Sequence, residues 1–284
     1  MPERLAHAKI NLRLCVLAQE PSGYHQIETL LSRISLADRL VVAHASDLTL
    51  EVVGGDAGPV TDNLVLRAAR AFYDRTAVAP AAAFRLTKQV PAGAGLGGGS
   101  SDAAAALHLL NELHDTRLEQ NTLLELGCAL GSDVPFFVSD APYALAWGRG
   151  ERLLALRSPP SRPVLIAVPA ERVPTASAYA ELARTRSGTE PAKQALVVDA
   201  GMMDSWAAVE SLAKNDFEAV MDRGIQAIPM LRETLLRTGA RIAQMTGSGS
   251  AVFGVFDDVR KCEAAAREVE AVHAGVLVFV AATG

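Results

Sequence analysis

Between residues 91 and 102 the chain reads Pro91-Ala92-Gly93-Ala94-Gly95-Leu96-Gly97-Gly98-Gly99-Ser100-Ser101-Asp102, with five glycines in seven positions. The flanks are regular. Upstream, Ala83 to Val90 sets Phe84, Leu86 and Lys88 on one face against Arg85, Thr87 and Gln89 on the other, the alternation of a strand. Downstream, Ser101 to about His114 carries Ala103, Ala106, Leu107, Leu110 and Leu113 at the spacing of one helical stripe. Only glycine lets successive backbone N–H groups turn toward one point without a Cβ in the way. The unpaired N–H groups and positive dipole end of the following helix lie at the same place. The pattern predicts a strand, a phosphate-holding loop over residues 91–101, and a helix.

Other readings of the loop are weaker. A flexible linker does not fit between a clean strand and a clean helix. Gly93, Gly95 and Gly98 satisfy G-x-G-x-x-G, which alone is a weak pattern for a dinucleotide site. The preceding strand alternates polar and apolar residues and ends in Pro91, whereas the central parallel strand of such a fold is almost uniformly apolar. A P-loop needs Lys-Ser/Thr where Gly99-Ser100 stands. A different class of phosphate-binding protein is required.

The 284 residues are 50% hydrophobic and 21% charged, which is ordinary for a folded globular chain and long enough for two domains. Lys and Arg total 27 against 32 Asp and Glu, so the net charge of -5 carries no footprint for a nucleic-acid polymer. Cys15, Cys128 and Cys262 are scattered and form no CxxC pair, which suggests neither a disulfide framework nor a zinc cage. No signal-peptide stretch opens the chain, and no run approaches the ~20 apolar residues of a membrane span. The expected setting is a reducing cytoplasm, with no membrane partner.

Three prolines in Arg157-Ser158-Pro159-Pro160-Ser161-Arg162-Pro163 mark a domain boundary, giving 1–157 and 164–284. Strands are expected at Ala8 to Leu17, Leu48 to Val53, Val164 to Val168, Ser250 to Phe256 and Val276 to Ala281. Helices are expected at Asp62 to Tyr73, roughly Leu118 to Leu130, Trp206 to Ser211, Ile228 to Arg237 and Val259 to Val272. Thr185 to Val197 reads as a polar loop. Strands interleaved with helices make the fold class α/β.

Further clusters carry chemistry. Ala8-Lys9-Ile10-Asn11-Leu12 sets a lysine and an asparagine inside an apolar strand, and Gly247-Ser248-Gly249-Ser250 places a second glycine turn before a late strand. With these, Gly23-Tyr24-His25, Asp62-Asn63-Leu64, the 91–102 loop, Gly131-Ser132-Asp133-Val134-Pro135-Phe136-Phe137 and Thr246 to Ser250, the sequence closely resembles the GHMP small-molecule kinases. The motifs run in order from residue 8 to residue 250. Gly23-Tyr24-His25 and the 131–137 run resemble more narrowly the branch whose alcohol substrate carries a cytidine diphosphate group.

The resemblance implies a two-domain fold, an N-terminal domain of the ribosomal-protein-S5-domain-2 kind and a ferredoxin-like C-terminal one. It implies ATP and Mg²⁺ as cofactors and phosphorylation of the 2-hydroxyl of a cytidine diphosphate derivative of methylerythritol, a small-molecule substrate. Phosphoryl transfer needs the phosphates held, the hydroxyl aimed and its proton accepted. Pro91, Ala92, Gly93, Ala94, Gly95, Leu96, Gly97, Gly98, Gly99, Ser100 and Ser101 would hold the nucleotide, with Asn63 and Lys88 bordering it. Asp133 would be the general base and Lys9 the cation that keeps it ionised and offsets developing charge. Tyr24 would stack on the cytosine, His25 pair with its polar edge, and Thr175 and Tyr179 supply the partner segment and opposing aromatic. Asn11 would support the substrate or the Lys9 and Asp133 pair, and Gly247 and Ser248 would form an anion-friendly turn. The sequence names no metal ligands and leaves monomer or homodimer open. It also leaves open a relative acting on another alcohol such as mevalonate or homoserine, a nicotinamide oxidoreductase, and a catalytically dead nucleotide binder.

Overall fold

The computed structural model of the protein describes residues 1–55, 58–186 and 199–284. Two long strands, β1 (Glu3–Gln19) and β2 (His25–His44), open the chain. β3 (Thr49–Gly54), α1 (Leu64–Thr76), β4 (Ala82–Lys88), α2 (Gly98–Leu113), α3 (Gln120–Leu130) and α4 (Val134–Val138) follow, then a hairpin of β5 (Tyr143–Gly148) and β6 (Arg152–Ala155). The remainder is β7 (Pro163–Val168), α5 (Thr175–Arg186), α6 (Trp206–Leu212), the short β8 (Lys214–Asn215), α7 (Glu218–Gly224), α8 (Ala227–Arg237), β9 (Ile242–Met245), β10 (Val252–Val255), α9 (Val259–Val272) and β11 (Leu277–Ala282). The mixed α/β class expected from the sequence is the one observed. The chain clusters into two compact units that interleave along it, residues 1–8, 36–92 and 97–141 in the first and residues 9–35, 93–96 and 142–284 in the second.

In the first unit β4 pairs antiparallel with residues 39–44 of β2 and parallel with β3. Its alternation is real: Phe84, Leu86 and Lys88 are buried while Arg85 is exposed. Leu40 and Val42 of β2 are buried beside them. α1 starts one residue after Asn63, whose side chain accepts the Val65 N–H at 2.9 Å, so the cap supplies one of the helix's orphan bonds. Its stripe of Val65, Leu66, Ala68, Ala69, Phe72 and Tyr73 is buried.

α2 packs against α1, α3 and α4, and Ala103 to Ala106 are small enough for close approach on several sides. It begins at Gly98, three residues before the Ser101 expected from the apolar stripe. Gly97 makes the turn with a left-handed φ of 72°, which frees Gly98 to enter the helix. The helix before Asp133 stops at Leu130, where Gly131 departs from helical geometry, and Asp133 occupies the N-cap position of α4, with Pro135 in the first turn.

In the second unit β5 pairs antiparallel with residues 27–32 of β2, and β8 runs parallel to β1 at Arg13 and Leu14. A separate antiparallel sheet has the order β11-β7-β10-β9. Val164 to Val168 are all buried, as a strand covered on both faces requires, and α8 and α9 pack on this sheet. Leu165, Val252, Phe256, Leu231, Leu235 and Val269 belong to its core, each worth about 1.5–3 kcal/mol on burial if fully removed from water. The polar loop expected over Thr185 to Val197 begins too early: Thr185 and Arg186 close α5, and the Arg186 guanidinium donates to Val16 O at 2.6 Å and to Asp216 at 2.8 Å. Residues 187–197 lie outside the described residues.

Candidate active site

The glycine loop alternates left-handed glycines, with φ of 68° at Gly93, 81° at Gly95 and 72° at Gly97. Gly95 has no space for a side chain: a Cβ there would stand 2.2 Å from the carbonyl oxygen of Thr246. Ala94 to Leu96 are held by their backbone. Ala94 O accepts the Ala251 N–H at 3.2 Å, and Leu96 O accepts the Lys9 N–H at 2.9 Å. These bonds brace the loop from within the protein, and a pre-set cradle of N–H groups costs little to order on binding.

Lys9 is central to that support. Only 2% of it is exposed, and its ammonium donates to Gly95 O at 2.8 Å and to Asn11 Oδ1 at 2.6 Å. A charge in a strand interior survives only when hydrogen-bonded in this way. Asn11 is the hub: its Oδ1 also accepts from Thr246 Oγ1 at 3.0 Å and Gly247 N at 2.8 Å, while its Nδ2 donates to Thr29 Oγ1 at 2.8 Å. Gln244 donates to the carbonyls of Asn11 and Leu12, and Asn215 to those of Met245 and Gly247. Lys9, Asn11, Gly95 and Gly247 are thus brought into one network, with Thr246 as a member that residue-by-residue reading did not single out. The signal was present, since Thr246 opens the Thr-Gly-Ser-Gly-Ser run.

The turn after β9 reaches a second group. Ser248 Oγ and Thr175 Oγ1 are 2.9 Å apart, at the start of α5. One turn further along α5, the Tyr179 ring stacks on His25, with centroids 5.0 Å apart and planes 22° from parallel. Phe217 meets the Tyr179 ring edge-on at 4.9 Å. Burial, and then the charge of Arg186, lower the pKa of His25 from its usual value, so the ring is neutral near pH 7 and offers one donor and one acceptor. Tyr24 is separate: it is 59% exposed and carries the Arg149 guanidinium 4.2 Å over its ring, with Arg149 also paired to Glu20. The structure brings His25, and not Tyr24, face to face with Tyr179. Arg149 had no sequence signal beyond its glycine turn.

In the first unit, Ser100 and Ser101 lie in the first turns of α2, and Asp133 stands half-buried before α4. Lys9 belongs to the second unit and Asp133 to the first. Asn63 spends its side-chain oxygen on the α1 cap. Lys88 is buried, with its ammonium donating to Asp38 and, at 2.9 Å, to Asp102. Burial works to lower its pKa, but Asp102 and Asp38 outweigh this and raise it, so it stays charged. Neither Asp38 nor Asp102 was legible as a site residue; each is a carboxylate placed in a buried register of an apolar element.

Comparison with known proteins gives the class. A family model described as "GHMP kinases N terminal domain" matches residues 63–141, which contain α1, β4, the glycine loop and Asp133. A solved homoserine kinase from Cytophaga hutchinsonii covers 97% of the chain and 94% of its own at TM-score 0.69 and 18% identity, a likeness of fold. The chain is 40% identical over 264 residues to the 4-diphosphocytidyl-2-C-methyl-D-erythritol kinase of Solibacter usitatus, covering 89% of this chain and 80% of the relative. It is 39% identical over 269 residues to the one from Geobacter sp. strain M21, covering 94% and 93%. A crystal structure of 4-(cytidine 5'-diphospho)-2C-methyl-D-erythritol kinase superposes at TM-score 0.81 with 33% identity, over 100% of this chain and 99% of that one. The chain is a GHMP kinase, with ATP as the donor that class implies. Within the class it belongs to the family of the 4-diphosphocytidyl-2-C-methyl-D-erythritol kinases.

Proposed function

We propose that the chain transfers the γ-phosphoryl group of ATP to the 2-hydroxyl of 4-diphosphocytidyl-2-C-methyl-D-erythritol, a step of the non-mevalonate isoprenoid pathway. The observation that carries the reading is the Lys9 and Asn11 network bonded to Gly95 O, a buried ammonium fixed on the glycine loop in a chain with these relatives. In this reading the N–H groups of residues 93–101 cradle the phosphates, helped by Ser100 and Ser101. The substrate oxygen bonds to the γ-phosphorus in line as the bond to the β–γ bridging oxygen breaks and ADP leaves. Asp133 accepts the hydroxyl proton and releases it to solvent. Lys9 offsets the charge that spreads over the transferring group.

Among the described residues no group of three or more His, Cys, Asp or Glu is placed to hold a metal ion, and the cation position between Asp38 and Asp102 is filled by Lys88. The described residues therefore offer no cage for a resident Mg²⁺. Mg²⁺ enters as the nucleotide complex, which phosphates and water hold with few protein ligands.

Cytosine recognition is assigned to His25 and Tyr179, with Tyr24 left as an exposed aromatic under Arg149 outside that pair, and Thr175, Gly247 and Ser248 bordering the substrate's phosphates. The neutral His25 ring suits a base edge that both donates and accepts. The domain division 1–157 and 164–284 is kept as the folding division, supported by a four-stranded sheet formed wholly after residue 162. Cys15, Cys128 and Cys262 form no disulfide among the described residues, which supports a reducing cytoplasmic setting, and among the described residues no helix is long and apolar enough to cross a membrane. The assembly is read as a monomer or a homodimer. ADP release by the purified chain with Mg-ATP tests the assignment across the cytidylyl substrate, mevalonate, homoserine and no acceptor. Release dependent on the first alone is the expected result; release with another acceptor would keep the class and discard the cytosine assignment.

A further inference from the structure

Residues 89–97 connect β4 to α2, and both ends of the connection meet one buried ion cluster. At the entry, Asp38 Oδ1 accepts the backbone N–H groups of Gln89 at 2.6 Å and Val90 at 2.8 Å, and its Oδ2 accepts from the Lys88 ammonium. At the exit, the same ammonium donates to Asp102 Oδ2 at 2.9 Å, one turn into α2. Gly98 presses the two ends together, since a Cβ there would lie 2.9 Å from Val90 Cγ1 and 3.4 Å from Lys88 Nζ.

The charge count of this cluster is unfavourable. Two buried carboxylates share one cation, and Asp102 Oδ1 has no hydrogen-bond partner among the described residues. A cluster selected for stability alone would be a matched pair or an apolar contact, because an excess buried charge costs more than it returns. Burial, the largest influence, accordingly pushes the Asp102 carboxyl up to about 7 despite the pull of Lys88. Features that cost stability and persist are expected where function requires them.

We infer that Asp38, Lys88 and Asp102 form the positioning device of the phosphate loop, tying its entry to its exit, and that Asp102 is kept for loop geometry at the expense of stability. The inference rests on reading residues 91–101 as the nucleotide loop. It reassigns Lys88, which acts through the loop and does not itself border the nucleotide.

Asp102→Ala tests it, because removal leaves Lys88 and Asp38 as a matched pair. The measurements are the Tm at pH 8 without nucleotide and the KM values for ATP and for the alcohol. The expected result is a Tm equal to or above the parent's, a KM for ATP raised about tenfold, the scale of losing one charged hydrogen bond, and an alcohol KM within about twofold. Asp102→Asn, whose carbonyl oxygen still accepts from Lys88, recovers most of the ATP affinity. A lower Tm, failure of Asp102→Ala to fold, or an unchanged KM for ATP would overturn the inference, since the first two mark a purely structural role. Gly95→Ala separates the two levels. If it leaves the KM for ATP unchanged, the loop reading falls; if it raises that KM while Asp102→Ala does not, only the clamp falls.

Discussion

Two alanine substitutions in the same loop should differ by orders of magnitude. Gly93 and Gly95 both have left-handed φ, 68° and 81°, so alanine at either carries about 1–2 kcal/mol of backbone strain. Their surroundings differ. A Cβ on Gly93 meets nothing within 4 Å, whereas one on Gly95 would stand 2.2 Å from Thr246 O, far inside the 3.0 Å below which real Cβ atoms are essentially never found. Relief requires a shift of about 1 Å at the loop or at Thr246, and a misplacement of that size costs about 10²-fold in rate. The shift also strains the Lys9 and Thr246 bonds to Gly95 O, of which the charged one is worth about 1.5–3 kcal/mol. Steady-state kinetics should show kcat/KM for ATP falling about tenfold or less for Gly93→Ala, which is strain alone. For Gly95→Ala the fall should be about 10³-fold, the product of strain and misplacement. Circular dichroism melts confirm that both variants are folded. Equal losses in the two variants, or a harmless Gly95→Ala, would refute the argument that the network around Lys9 sets the loop.

Asp133→Asn should lower kcat by about 10² to 10⁴, the scale of a lost general base, with nucleotide affinity measured by equilibrium binding nearly intact. Tyr179→Ala removes a ring packed on His25 and should raise the KM for the cytidylyl substrate about threefold to tenfold, from the 0.5–1.5 kcal/mol of an aromatic pair, with the KM for ATP unmoved. The folded pKa of Asp102, about 7, lies above its unfolded value near 3.8, so the folded state holds a proton that the unfolded chain has lost. Its contribution to stability is therefore present below pH 4 and is lost as pH rises through 7; urea titrations of Asp102→Asn should lack the decline between about pH 4 and 7 that the parent shows.

The sequence discloses the elements whose local signals are strong. Asn63 and the stripe behind it mark α1, the alternation from Phe84 to Lys88 marks β4, and the apolar run Val164 to Val168 marks a covered strand, because each pattern is enforced by burial of its own residues. β2 is not announced, since its polar Thr29, Ser32 and Asp38 face buried partners and break the alternation. α5 is hidden because exposed Thr175, Ala176 and Ser177 leave only Ala178 and Leu182 to bury. The site divides in the same way. Lys9, Asn11 and the glycines stand in short runs that resemble a family, whereas Thr29, Asp38, Asp102, Gln244 and Asn215 enter through contacts between residues far apart in the chain. Arg149 over Tyr24 and Tyr179 on His25 are likewise consequences of tertiary placement.

The 2-hydroxyl oxygen is the atom proposed to receive the phosphoryl group. ³¹P NMR of the purified chain with Mg-ATP and 4-diphosphocytidyl-2-C-methyl-D-erythritol follows that atom directly. One new phosphomonoester resonance should grow in step with ADP, with the cytidine diphosphate signals retained and the new phosphate correlated to the quaternary carbon that bears the 2-hydroxyl. ADP with inorganic phosphate in place of an ester, or a phosphate correlated to another carbon, would contradict this assignment.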